Sequence, residues 1–260
     1  MLGGLVVAST LGGSDEASGL VSADETDVHV PGVARDGTPA PPTPTPTPSP
    51  TPTPTPRTAP NPAGLKVWSH GDSTSYFMSV AFLDMMRALG SVAVQGTADY
   101  KISSGLESTS PFDWPSFLQE QMATYDPDAV VFMLGANDAV GGIDYESYSA
   151  KVGAVMDLLK RPGRTVLWVG QPNFDPTLRP DLVQYAPQVN RVFQEQASLR
   201  PWVVYVDTWW ITSDASGNYQ QYLPDENGVV QQMRAADGVH LTAAGGRLVA
   251  RAVVNALMNP

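Results

Sequence analysis

From Leu65 onward, short apolar runs alternate with stretches of helical spacing, and that alternation admits few folds. Residues 65–70, 91–95, 129–134, 165–169 and 203–206 read as strands. The run 129–134 is apolar at every position, as expected of a strand covered on both faces. Helical patterns lie between the runs. Phe77, Val80, Ala81, Phe82, Met85, Met86 and Leu89 share one face across 74–89, and Gly90 stops that helix. A second helix is expected over 114–124, and Tyr145, Tyr148, Val152, Val155, Met156 and Leu159 mark a third. A fourth starts near Pro187, since proline suits a first turn. Thr242 can cap the last, which carries Leu248, Val249, Ala252, Val253 and Leu257. Strand and helix in repeated succession predict an α/β fold with a parallel sheet. The segment 207–238 before the last helix is long, and Asn227-Gly228 within it predicts a hairpin of 219–223 with 229–233.

The first 62 residues follow a different logic. Half of the 24 prolines fall in residues 1–60, and 43–56 is nearly pure Thr-Pro alternation. Such a run is extended polyproline with no apolar surface to bury, so residues 38–62 read as a linker reaching on the order of 80 Å. Residues 1–37 read as a disordered tail. Within it, 2–12 is apolar, too short to span a bilayer and without a basic flank. It is read as the remnant of an export signal or anchor, with plain disorder as the alternative. Residues 63–260 then form one domain, long enough for a full core. The formal net charge is −11, and the six acids and two bases of residues 1–60 leave −7 for the domain. No basic stripe is present, which argues against nucleic acid and anionic membrane surfaces as partners. The absence of cysteine rules out disulfides and thiolate metal sites.

Gly71-Asp72-Ser73 stands where the first strand ends and the first helix begins. A side chain at such a crossing is exposed, and the helix aims its free N–H groups at the same spot. A serine there can attack a carbonyl if a base takes its proton and donors hold the oxyanion. The same residues also suit an unreactive turn. The Gly-x-Ser-x-Gly elbow is absent, since Ser75 replaces its second glycine.

Asp237-Gly238-Val239-His240 offers a base, in a domain whose histidines are His70 and His240. A carboxylate three residues before a histidine can accept from Nδ1 and leave Nε2 free for a serine proton. The alternative is a capped turn with a histidine packed at a helix entrance. His70 reads as a core or pocket-wall residue, and Asp72 as an acceptor of backbone N–H groups that fixes its turn. Gly135-Ala136-Asn137-Asp138 follows the buried strand, and the carboxyl ends of parallel strands open into the ligand crevice. The Asn137 amide can donate to an oxyanion there, or form an ordinary Asx turn. Gly105, after the second strand, can bring a backbone N–H to the same point. Arg234 either reaches the pocket and binds a substrate carboxylate or phosphate, or forms a surface ion pair. Asp214-x-Ser216-x-Asn218 has Tyr219 where a calcium loop needs its sharp-turn glycine, so no metal or cofactor is expected. Trp209 and Trp210 read as core or interface rather than a sugar platform.

In chain order, Gly71-Asp72-Ser73, Gly105, Gly135-Ala136-Asn137-Asp138 and Asp237-Gly238-Val239-His240 resemble the blocks of the SGNH (GDSL-type) hydrolase and acyltransferase superfamily, across nearly all of residues 65–260. Segments 103–106, 112–114 and 234–242 are similar to a bacterial envelope-associated branch of largely unknown substrate. The resemblance implies a three-layer α/β/α sandwich around a five-stranded parallel sheet, flavodoxin-like in outline. It implies Ser73 as nucleophile, His240 as base and Asp237 as its orienting acid. The oxyanion hole would take the N–H groups of Ser73 and Gly105 and the amide of Asn137. Thr74 departs from the leucine that usually follows the serine, and a glycine often found soon after is missing, which bears on the acyl pocket's shape.

The expectation is a monomeric serine esterase, exported or envelope-associated, with a tether through its N-terminus to membrane or cell wall as one option. Its substrate is a small acyl ester, acetyl foremost, or an acylated glycan. The same residues would serve O-acyl transfer to a sugar hydroxyl. A non-catalytic glycan-binding domain on a stalk is a third reading, and the intact Ser73, Asn137, Asp237 and His240 speak against it.

Overall fold

The alternation of the strands becomes the two faces of one sheet in the computed structural model, which describes residues 57–259. The tail 1–37 and the linker through residue 56 lie outside the described residues. Strands β1 (Lys66–Gly71), β2 (Val92–Ala93), β3 (Ala129–Met133), β4 (Thr165–Val169) and β5 (Val203–Val206) pair in parallel in the order β2-β1-β3-β4-β5. Successive side chains point to opposite faces. Val130, Phe132, Val166 and Trp168 join one core, and Val131, Met133, Leu167 and Val169 the other. The helices are α1 (Tyr76–Ala88), α2 (Trp114–Tyr125), α3 (Tyr145–Leu158), α4 (Pro180–Ser198) and α5 (Ala243–Met258). Helices α2, α3 and α4 cover the first face, and α1 with α5 the second, which completes the three layers. Edge-to-face rings run through the first core: Trp114 to Phe132 at 5.0 Å, Phe132 to Trp168 at 5.2 Å and Trp168 to Phe193 at 5.4 Å. Truncating such a ring to alanine costs about 3–5 kcal/mol.

Several boundaries differ from the sequence reading. Pro180, not Pro187, occupies the first turn of α4, because the apolar stripe already starts with Leu182, Ala186 and Val189. Pro187 lies mid-helix on the exposed side, where its missing N–H is tolerated. The buried stripe of α1 is Met78, Phe82 and Met86, while Phe77 and Leu89 are 40% and 46% exposed. The hairpin is shorter than expected, β6 (Tyr222–Pro224) against β7 (Val230–Gln232). Tyr219 pairs with Ser213 instead, and the Asp225 carboxylate takes the N–H groups of Asn227 and Val229, so the loop between the strands is wider.

At the amino end of β1, the Pro62 carbonyl accepts from Leu65 N–H and the Ser91 hydroxyl, and Gly64 N–H donates to the Gly90 carbonyl. The chain therefore enters the domain beside β2, at the amino ends of the strands. Among the described residues, no helix is long and apolar enough to cross a membrane.

Candidate active site

β1 stops at Gly71, and the chain enters a single 3-10 turn, Ser73–Ser75. Asp72 sets that turn. Its buried carboxylate accepts Thr74 N–H at 2.8 Å, the Thr74 hydroxyl, and Gly135 N–H at 3.1 Å from the end of β3. Burial pushes the Asp72 carboxyl up to about 6, against the pull of these donors. Asp72 thus fixes the turn, as expected, and leaves the Ser73 side chain half-buried at the carboxyl end of the sheet.

The turn 237–240 comes from the far end of the chain. Ala235 N–H donates to the His240 carbonyl at 2.8 Å, and Gly238 sits at φ 72°, a region costly for other residues. A Cβ at Gly238 would also stand 2.4 Å from that of Asp175. Asp237 Oδ1 accepts Val239 N–H at 2.8 Å and His240 N–H at 3.0 Å, while Oδ2 lies 2.7 Å from His240 Nδ1. An ionised carboxylate only accepts, so Nδ1 carries the proton and Nε2 keeps its lone pair. That lone pair is 2.9 Å from Ser73 Oγ. Burial alone would raise the Asp237 carboxyl, but the bonds from His240 and Val239 outweigh it and hold the group below its ordinary value. The file of three can accept the serine proton as the hydroxyl attacks.

Asn137 and the 104 loop stand at two other strand ends. Asn137 Nδ2 donates one hydrogen to the Ser104 carbonyl at 2.9 Å, and this holds the 104 loop against the end of β3. Neither Ser73 N–H nor Gly105 N–H has a hydrogen-bond acceptor among the described residues. Asp138 lies beneath. It is buried and accepts Leu106 N–H at 3.0 Å, Glu107 N–H at 2.8 Å and the Tyr148 hydroxyl at 2.8 Å. A Cβ at Gly105 would meet Asp138 Oδ1 at 2.1 Å, so only glycine permits this approach. Ser73, Asn137, Asp237 and His240 line one cleft of about 600 Å³. Gly105 stands behind it, on the wall of a second cavity of about 290 Å³ shared with Leu106 and Val155.

A family model described as a protein of unknown function, DUF459, matches residues 66–256, a stretch that contains all of these side chains. The chain belongs to the DUF459 family. No curated protein matches it significantly. Solved structures do, at low identity. The lipase/acylhydrolase from Enterococcus faecalis is 17% identical with a TM-score of 0.56, covering 74% of this chain and 94% of that one. The acetylxylan esterase Axe2 from Geobacillus stearothermophilus is 17% identical with a TM-score of 0.55, over 75% and 94%. LAE5, an alpha/beta hydrolase from the metagenome of Lake Arreo, Spain, is 15% identical with a TM-score of 0.55, over 76% and 98%. At this identity the likeness establishes a shared fold, the three-layer sandwich around a five-stranded parallel sheet.

Within this DUF459 domain the expected place of Arg234 is corrected. Its side chain is wholly buried and does not line the cleft; nor does it form a surface ion pair. The guanidinium donates to the carbonyls of Asn173 and Val239 and lies 5.7 Å and 5.3 Å from the rings of Phe174 and Tyr219. Arg234 bridges Leu241, and its side chain reaches the 237–240 turn through the Val239 carbonyl rather than the cleft. Burial lowers it to about 10. The cation on the DUF459 cleft is Arg179, held on both carboxylate oxygens of Asp181 at 3.0 Å and 2.8 Å. No sequence signal marked it.

His70 is a core residue, stacked on Trp68 at 5.3 Å and edge-on to Trp114 and Phe117, and burial lowers it to about 4. Trp209 is half-buried and Trp210 exposed. The Asp214 carboxylate is engaged by Ser216, Asn218 and Gln220 of its own loop.

Proposed function

We propose that this DUF459 chain is a serine esterase that removes small acyl groups, acetyl foremost, from cell-envelope glycans or similar esters. The observation that carries the reading is the file Ser73 Oγ, His240 Nε2, His240 Nδ1 and Asp237 Oδ2, with its two gaps of 2.9 Å and 2.7 Å. Ser73 Oγ attacks the ester carbonyl carbon as its proton passes to His240 Nε2. The N–H groups of Ser73 and Gly105 and the Asn137 amide take the oxyanion. Collapse expels the alcohol, which collects the proton from Nε2. A water, deprotonated by His240, then attacks the acyl-serine, releases the acid and restores Ser73. Asp237 keeps Nδ1 protonated and balances the imidazolium.

Two further observations support the reading. In Axe2 a serine, an aspartate and a histidine are the positions altered in variants described as catalytic mutants, and that aspartate lies three residues before the histidine. Asp237 and His240 have the same spacing. The Thr-Pro segment within 38–62 suits a spacer that holds the domain off an envelope surface; cell fractionation checks that placement.

A panel of acetyl, butyryl and long-chain chromogenic esters, with and without a sugar acceptor, tests the function. Acetyl esters are expected to turn over fastest. Ser73→Ala and His240→Ala are each expected to lower kcat by roughly 10⁴–10⁶ and to abolish labelling of Ser73 by a fluorophosphonate. Near-normal turnover by either variant sinks the assignment.

A further inference from the structure

We propose that Arg234 is a positioning residue, whose guanidinium ties the backbone between Asp237 and His240 to the loop after β4 and so holds the imidazole at Ser73. The inference rests on the esterase reading for its kinetic consequences, though its geometry is independent of it. One Nη donates to the carbonyl of Val239, the residue before His240, at 2.7 Å, and the other to the carbonyl of Asn173. Asn173 is anchored in turn, its amide donating to Ser213 Oγ at 2.7 Å. A second strut joins the same two loops, Asp175 N–H to the Gly238 carbonyl at 3.1 Å. The imidazole is therefore fixed from behind through its own main chain, as well as from the side by Asp237.

Packing alone does not explain an arginine here. A buried cation is costly without a carboxylate in contact, and no ion pair of Arg234 is found among the described residues. An apolar side chain between Phe174 and Tyr219 would fill that space more cheaply. What arginine adds is a rigid planar fork that spans two carbonyls, which the single ammonium of lysine does not reproduce. It also adds a positive charge behind Asp237, which favours the ionised carboxylate.

Arg234→Lys and Arg234→Met separate these contributions. Four readouts apply: kcat, KM, the pH profile of kcat/KM, and the downfield Nδ1 proton resonance of His240, identified by its loss in Asp237→Asn. The lysine variant is expected to lower kcat about ten- to a hundredfold with KM within about twofold, and to shift or broaden the resonance, since one charged hydrogen bond and the fork geometry are gone. Its acid limb stays in place because the charge is kept. The methionine variant is expected to lose more and to move the acid limb to higher pH. Wild-type kcat and an unmoved resonance in the lysine variant overturn the proposal, whatever its melting temperature, and hold even if the methionine variant fails to fold. A wild-type protein inert to esters and to fluorophosphonate would sink the esterase reading instead, and the resonance would still decide the role of Arg234.

Discussion

Replacing Asp138 by asparagine changes one atom beneath the loop that carries Gly105, and its effect can be worked out bond by bond. The carboxylate accepts from Leu106 N–H and the Tyr148 hydroxyl on one oxygen and from Glu107 N–H on the other. The best orientation of the amide keeps its oxygen on Leu106 and Tyr148 and turns its NH₂ against the Glu107 N–H. One hydrogen bond to a charged acceptor is lost, worth about 1.5–3 kcal/mol. Relief offsets part of this, because burial raises the Asp138 carboxyl and a neutral amide avoids that desolvation. The net expectation is a loss of about 1–2 kcal/mol in urea denaturation. The segment set loose carries Gly105, so kcat on an acetyl ester should fall about five- to thirtyfold, the same free energy read as a rate, with KM little changed. Tyr148→Phe is the control: it removes one donor, costs about 0.5–1.5 kcal/mol and leaves the two backbone bonds in place. If Asp138→Asn unfolds at the wild-type urea midpoint and keeps wild-type kcat, Asp138 does not hold the oxyanion loop and the reasoning fails.

Three other outcomes are expected. Gly105→Ala should lower kcat more than Asp138→Asn, because a Cβ 2.1 Å from the Asp138 carboxylate must displace the loop; steady-state kinetics with unchanged KM checks it. Asn137→Ala should cost about 10²–10³ in kcat, as for loss of one oxyanion donor, and a loss under about threefold would remove Asn137 from that role. His70 is held near 4 in the fold against 6.5 unfolded, so its stabilisation is complete above about pH 6.5 and fades as pH falls toward 4, by roughly 3 kcal/mol in all. Asp72, raised to about 6, acts in the opposite sense over nearly the same window, stability falling as pH rises from about 4. The two slopes mask one another in the wild type, and His70→Leu should expose the Asp72 slope in denaturation series at pH 4–7. A parallel pH dependence in both proteins would refute the His70 assignment.

The file of Ser73, His240 and Asp237 was legible in the sequence because its geometry is local. Asp237 and His240 share one turn, Ser73 stands at a strand end, and the parallel topology brings strand ends together. The strands were legible for a similar reason, since a continuous apolar run such as 129–134 marks a strand covered on both faces. Side-chain direction was not. Arg234 lies three residues before Asp237, yet whether it points to substrate or under the turn is decided by pairing with Leu241 and by the rings of Phe174 and Tyr219. Asp138 stood inside a recognised block, but its donors come from Leu106, Glu107 and Tyr148, segments that nothing in the primary order connects to it. The start of α4 was misplaced because Pro180 and Pro187 both satisfy the same first-turn preference. Only burial of Leu182 and Ala186 chooses between them.

The attachment of the chain beside Gly90 gives the domain a polarity. β1 carries the chain from Pro62 toward Ser73, and its six residues, at about 3.3 Å each, place the two ends roughly 20 Å apart on opposite rims of the sheet. The chain therefore enters the domain at the rim away from the cleft that Ser73 lines. A fusion or surface coupling made at Pro62 would leave that opening facing away from its support.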